Sequence, residues 1–168
     1  MHPLVELAKK SVEKYIREGS VESPQGSPSP EMNEKAGVFV CLKKHGQLRG
    51  CIGTFQPTYE NIGVETIMNA ISAATKDPRF SPVEESELQE LDYSVDVLSP
   101  PEKISDMKEL DPRRYGVIVV SAQRRGLLLP DLEGVDTVEE QLRIAKMQAD
   151  ILPHEEVEIF RFEVKRFK

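Results

Sequence analysis

Two side chains in the run "LRGCIGTF" at residues 48–55 could do chemistry together. Arg49 and Cys51 alternate along an extended strand and project from one face about 7 Å apart. At that range a guanidinium favours the thiolate form of a cysteine, which is the form that acts as nucleophile or redox group. It could equally hold an anionic substrate. Gly50 and Gly53 leave the backbone uncovered, so a ligand or a second strand could approach closely. Asp77 and Arg79 flank a proline further along and could line the same cleft. The competing readings are structural. A cysteine is among the most frequently buried residue types, a strand arginine commonly pairs with a carboxylate, and polar residues at a helix corner commonly cap it. His45 lies six residues from Cys51 along the same extended hairpin and cannot reach it, which leaves His154, Asp77 or Asp96 as a possible base.

Other chemistries find no support in the sequence. The two cysteines, Cys41 and Cys51, have no C-x-x-C spacing, and the three histidines are scattered, so no metal site and no cofactor is expected. There is no phosphate loop, G-x-G-x-x-G, G-x-S-x-G or H-E-x-x-H. A formal net charge of −7 disfavours a nucleic-acid-associated regulator. The basic strip Arg161, Lys165, Arg166 and Lys168 reads as the solvated edge of a last strand. No apolar run approaches the ~20 residues of a membrane span, and the first residues lack a signal-peptide pattern. A cytoplasmic protein that does not engage a membrane is expected.

The elements that must position these residues follow from periodicity. Residues 3–18 carry an amphipathic stripe that stops at Gly19, and residues 20–36, rich in proline and serine, read as an irregular loop or lid. "GVFVCLKK" and "QLRGCIGTF" form a hairpin about His45 and Gly46. A two-residue turn sets Lys44 opposite Gln47, Leu42 opposite Arg49 and Cys41 opposite Gly50, whereas a three-residue turn brings Cys41 across from Cys51. A cytosolic setting favours reduced thiols in either case. Leu48 and Ile52 are expected to anchor the core side. A helix bearing Ile67, Ile71 and Ala74 should stop near Lys76, and Ser81-Pro82-Val83-Glu84 should open another. Residues 91–98 alternate as a half-buried strand, "YGVIVVSA" and "GLLLP" form a second hairpin turned by "QRR", and Thr137 opens a helix with a capping box. "VEIFRFEVKRF" closes the chain as one long strand. These elements predict an α+β fold, a mainly antiparallel sheet with helices packed on it, in one domain of two lobes over residues 1–168.

Several blocks resemble one family. "GQLRGCIGTF", "AISAATKDPRF", "LDYSVDVLSPPE", "GLLLPDLEGVDTVEEQL" and "FRFEVKRF" are similar to the AMMECR-type domain, called AmmeMemoRadiSam system protein A in many bacteria and archaea. The family's motif falls here on Leu48, Arg49, Gly50, Cys51, Ile52 and Gly53, and its second block on Asp77, Arg79 and Phe80. "KMQADI" at residues 146–151 departs from the relatives' glycine-containing form, which leaves the end of the preceding helix near Gln148 open. The resemblance implies an α+β unit with a cleft, and association with Memo-like and radical-SAM proteins. It implies no particular reaction. The expected function is therefore an accessory component whose cleft, edged by Arg49, Cys51, Asp77 and Arg79, binds a small anionic ligand or a partner segment. The alternative is an enzyme using Cys51 as nucleophile or redox thiol with Arg49 assisting.

Overall fold

Val38, Val40 and Leu42 are fully buried while Phe39, Cys41 and Lys43 are not, so strand β1 (Val38–Lys44) presents one face to a core. In the computed structural model, which describes residues 1–23 and 30–168, the chain divides into two units, residues 1–98 with 165–168 and residues 99–164. Each has its own four-stranded sheet and its own hydrophobic core.

In the first unit β1 pairs antiparallel with β2 (Gln47–Gly53) and β3 (Leu91–Leu98), giving the order β2-β1-β3-β8 with β8 at Val164–Phe167. Helices α1 (Pro3–Glu18) and α2 (Ile62–Thr75) cover the apolar face, where Leu4, Ala8, Val12, Ile62, Ala70 and Ala73 meet Val38, Val40, Leu42 and Val95. Each fully buried valine or leucine contributes about 2 kcal/mol. His2 caps α1 by accepting from the Leu4 N–H, and Gly19 ends it at φ 68°. Asn61 caps α2 by accepting from the Val64 N–H. Helix α2 stops at Thr75, two residues before the Asp77-Pro78 step that cannot remain helical.

The second unit pairs β5 (Gly116–Ser121) with β6 (Arg124–Leu128) and β7 (Glu158–Phe162), and β7 with β4 (Glu102–Lys103), all antiparallel. Helix α3 (Val138–Gln148) begins at Thr137, whose side chain accepts from the Glu140 N–H, and buries Leu142 and Ala145 against Val117 and Val119. It ends at Gln148, and Asp150 takes the left-handed conformation at φ 58° where a glycine is the easier choice.

Three expectations are corrected. The last run is not one strand, because it divides at Glu163, whose peptide groups pair with Ser99, and β7 and β8 belong to different sheets. Ser81 and Pro82 do not start a helix. The 3-10 turn Glu85–Glu90 starts after Glu84, which forms a capping box with Glu87. The second hairpin turns at Ala122 and Gln123, since Arg124 already pairs with Ser121. Of the segment at 20–36, Pro30–Asn33 forms a 3-10 turn, and residues 24–29, on which the lid reading also rests, lie outside the described residues.

Candidate functional site

The first hairpin turns at His45 (φ 51°) and Gly46 (φ 77°), with Lys44 opposite Gln47 as the two-residue turn requires. Lys43 then pairs with Leu48 but Leu42 pairs with Gly50, so Arg49 is an extra residue, a β-bulge in β2. Beyond it the register is shifted by one, and Cys41 stands opposite Cys51 with a Cα separation of 4.1 Å. Their sulfurs are bonded as a disulfide. Of the two pairings open to Cys41 this is the one with Cys51, and the bond corrects the expected reduced thiols. A bulge after a two-residue turn produces the pairing that alternation alone assigns to a three-residue turn. Leu48, before the bulge and opposite Lys43, is 42% exposed instead of anchoring the core, while Ile52, beyond the bulge and opposite Val40, does pack against it.

The bulge also separates the two residues that alternation places together. Arg49 Nε and Nη2 donate to the two carboxylate oxygens of Glu87 at 2.9 and 3.0 Å, Nη1 donates to the Ser81 carbonyl at 2.9 Å, and Nη2 to the Pro82 carbonyl at 3.3 Å. Glu87 also accepts from Lys44 Nζ at 3.2 Å and from the Glu84 N–H at 2.8 Å. Lys44 belongs to the face of β1 that carries Leu42 and Val40, whereas Cys41 and Cys51 lie on the other. The Arg49 guanidinium, aided by the Glu84 N–H and Lys44, holds the Glu87 carboxyl at a pKa of about 2. Arg49 therefore fastens β2 to the turn after α2 and does not face the Cys51 sulfur.

Because β2 is an edge strand, the peptide groups of Cys51 point away from β1, and the corner after α2 captures them. Asp77 Oδ2 accepts from the Cys51 N–H at 3.0 Å, and Arg79 Nη2 donates to the Cys51 carbonyl at 3.4 Å. Asp77 Oδ1 accepts from the Arg79 N–H and Nε, both at 3.0 Å, and Oδ2 from Nη2 at 2.7 Å. The pair thus supplies one acceptor and one donor where a neighbouring strand would. Burial pushes the Asp77 carboxyl up, but the hydrogen bonds from Arg79 and Cys51 outweigh it and bring the pKa to about 2. The glycines serve packing. A Cβ on Gly50 would lie 2.1 Å from the Ala73 carbonyl oxygen of α2, and one on Gly53 would lie 2.2 Å from the Phe39 ring.

The remaining candidates are placed elsewhere. Asp96 is buried and held by two 2.8 Å bonds from Arg166, and His154 lies in the second unit. Two members of the basic strip are engaged, Arg166 by Asp96 and Arg161 by the Glu109 carbonyl and the Tyr115 ring. Among the described residues no three His, Cys, Asp or Glu are grouped to hold a metal. No helix among them is long and apolar enough to cross a membrane.

Two acidic residues escaped the sequence reading. One is Glu87. The other is Glu65, fully buried in the first turn of α2, which accepts from the Thr58 and Tyr59 N–H groups, both at 2.9 Å, and from Thr54 Oγ1 at 2.6 Å. Asn69, one turn on, donates to the Val38 carbonyl at 2.8 Å and to Thr54 Oγ1 at 3.2 Å. Together they pin the chain leaving β2. The available signal was a polar pair at i, i+4 within an otherwise apolar helix. Around Arg49 the surface forms a depression of about 530 Å³, walled by Lys44, Phe80, Ser81, Glu84, Glu87 and Glu90 among others.

Comparison with known proteins agrees with these blocks. A protein of Thermotoga maritima is 55% identical over 170 residues, covering 99% of this chain and 98% of the relative. A protein of Clostridium acetobutylicum is 51% identical over 168 residues covering 99% of this chain, which spans only 36% of that relative's length. The crystal structure of the uncharacterized protein PH0010 from Pyrococcus horikoshii matches with a TM-score of 0.90 at 35% identity, over 97% of this chain and 88% of that one. With the AMMECR1 family matched over residues 5–167, this chain belongs to the AMMECR1 family.

Proposed function

We propose that the protein is a non-catalytic accessory component that binds a segment of a partner protein at the depression beside Arg49, in a pathway shared with Memo-like and radical-SAM proteins. The observation that carries this reading is the saturation of Arg49. Its guanidinium is spent on Glu87 and two backbone carbonyls, and Cys51 is tied to Cys41, so neither group is available as activating cation or thiolate nucleophile in this form. What stays open is a polar surface. Three carboxylates, Glu84, Glu87 and Glu90, outnumber Lys44 and Arg49 there, and both cations are already paired with Glu87. A small anion meets repulsion at such a surface, whereas a peptide offering N–H groups or a basic side chain meets acceptors. The 36% coverage of the Clostridium acetobutylicum relative supports a unit that works beside further protein. The named partners follow from the family resemblance.

The test is co-purification of the tagged full chain with the Memo-like and radical-SAM proteins encoded in the same genome, repeated with Glu84→Lys/Glu90→Lys. Capture by the wild type and a loss of roughly tenfold in the charge-reversed variant are expected. Failure to capture either protein at micromolar concentration, or equal capture by both forms, overturns the reading. A metabolite screen in which an anionic small molecule binds wild type and not Arg49→Ala would restore the ligand version in its place.

A further inference from the structure

We propose that Cys41, rather than the motif residue Cys51, is the reactive half of a dithiol–disulfide couple that exchanges with small carboxylate-bearing thiols. The placement of the two cysteines carries the inference. Cys41 lines a depression of about 450 Å³ in the first unit, and Cys51 is not among the residues that wall it. Lys9, Lys43 and Lys168 line the same depression against one acidic side chain, Asp92. Among the described residues no ion pair engages any of these three lysines. The arrangement is a depression of small-molecule size with Cys41 among its lining residues and three lysines outside any ion pair around it.

Three further observations favour exchange over a purely structural staple. Both cysteines are only half-buried, so an incoming sulfur has access. The bond closes a loop with a sequence separation of 10, near the short end of the range, where chain-entropy stabilisation is smallest. Strand β2 is also held by tethers that do not involve sulfur, namely the Arg49–Glu87 pair, the Asp77 bond to the Cys51 N–H and the ladder to β1. The hairpin therefore has the means to survive reduction and to reoxidise in the same register.

The exchange balances as follows. The thiolate of a small thiol RSH attacks Cys41 Sγ, the Cys41–Cys51 bond breaks, and the electron pair leaves on Cys51, which takes up a proton from solvent. The resulting Cys41–S–S–R mixed disulfide is resolved by a second RSH thiolate, which attacks the sulfur of R. RSSR departs and Cys41 is protonated. Two thiols are oxidised and one protein disulfide is reduced. The reverse sequence, with RSSR as oxidant, closes the bond again.

The oxidised full-length protein is treated with glutathione, net negative, or cysteamine, net positive, in low salt at neutral pH. Disulfide loss is read by acid quench, alkylation and intact mass, and rates are expressed per thiolate. A unit charge at ~7 Å in water changes an ionic encounter roughly threefold. Glutathione should therefore react faster than cysteamine, and Lys9→Ser/Lys43→Ser should slow glutathione roughly tenfold without slowing cysteamine. In single-cysteine variants, oxidised glutathione should modify Cys41 of Cys51→Ser faster than Cys51 of Cys41→Ser. Equal per-thiolate rates for the two thiols on the wild type overturn the proposal, and this comparison needs no variant to fold. Faster modification at Cys51, or a disulfide that resists millimolar glutathione in the folded protein, overturns it too.

Discussion

The two hairpins of this protein are near copies in plan and differ in what has been added to one of them. Both β1–β2 and β5–β6 turn in two residues, and the first of these, His45 or Ala122, has a positive φ of 51° or 55°. Both second strands form an edge of their sheet and carry a glycine directly under a helix carbonyl, Gly50 under Ala73 and Gly126 under Ala145. The second hairpin keeps an unbroken register from Ser121–Arg124 to Val117–Leu128. The first has the bulge at Arg49, the cross-strand disulfide, and the Asp77–Arg79 pair on its outer edge. A strand, a turn and a glycine under a helix suffice to build such a hairpin. The additions to β2 tie its outer edge to the corner after α2 and its inner edge to β1 through sulfur, and the proposed binding surface is placed beside them.

The shared part of the plan predicts the largest effect. A Cβ at residue 50 would stand 2.1 Å from the Ala73 carbonyl oxygen, and one at residue 126 would stand 1.9 Å from that of Ala145. Neither oxygen belongs to a flexible side chain, so the helix must lift. Gly50→Ala and Gly126→Ala should each cost about 3 kcal/mol, read by urea denaturation with probes in each unit. If one is tolerated within about 0.5 kcal/mol, the glycine–helix approach is not a common feature of the two hairpins.

The arginines come next. Arg49 and Glu87 have side chains only 12% and 14% exposed, whereas Arg124 and Glu155 are 42% and 23% exposed. Arg49→Ala leaves a largely buried carboxylate without its bidentate partner and should cost about 2 kcal/mol. Arg124→Ala should cost clearly less, because its pair is solvent-screened. Equal losses would mean that the bulge fastening is no stronger than a surface ion pair.

Acid acts on the first hairpin through the same contacts. Asp77 and Glu87 both titrate at about 2, below the ordinary carboxylate range near 4. A depressed folded pKa means that the unfolded chain binds protons first. The stabilisation is present in full above about pH 5 and is lost as pH falls from there through about 2. Unfolding of the first unit should steepen over that interval, and Asp77→Asn together with Glu87→Gln should flatten it. The check is the pH dependence of unfolding, followed by amide exchange at residues 47–53. An unchanged slope in the double variant would show that neither carboxylate couples the edge of β2 to pH.

Most of the frame was legible because it rests on local rules. Gly19 ends α1, Asp77-Pro78 limits α2, Thr137 opens α3, and the alternation at 91–98 matches β3 in both limits. The site was less legible because one residue reverses it. Alternation assigns Arg49 and Cys51 to one face, and it has no means of counting an extra residue whose side chain is drawn to Glu87, 38 positions away. The disulfide was lost with the same residue, since its register depends on the bulge and not on the turn. Asp77 and Arg79 were found through their corner, but their partner, the outward peptide of Cys51, is visible only once β2 is known to be an edge. The split of the last strand at Glu163 was likewise hidden, because an apolar–polar alternation continues through it.

The smallest effect separates the turns themselves. Ala122 holds φ 55° with a Cβ that crowds its own backbone, a conformation costing about 1 kcal/mol in an ordinary L-residue, whereas His45 at φ 51° is followed by Gly46 at 77°. Replacing Ala122 by glycine removes that crowding but adds freedom to the unfolded chain, which returns part of the gain. Ala122→Gly should therefore stabilise the second unit by about 0.5 kcal/mol, and His45→Gly should gain less, because histidine tolerates the left-handed region better than alanine and its Nε2 lies 2.8 Å from Glu90 Oε1. Thermal unfolding of both variants beside the wild type decides the point. A larger gain at residue 45 would place the greater turn strain in the first hairpin, beside the bulge, and would extend the difference between the hairpins from their edges to their turns.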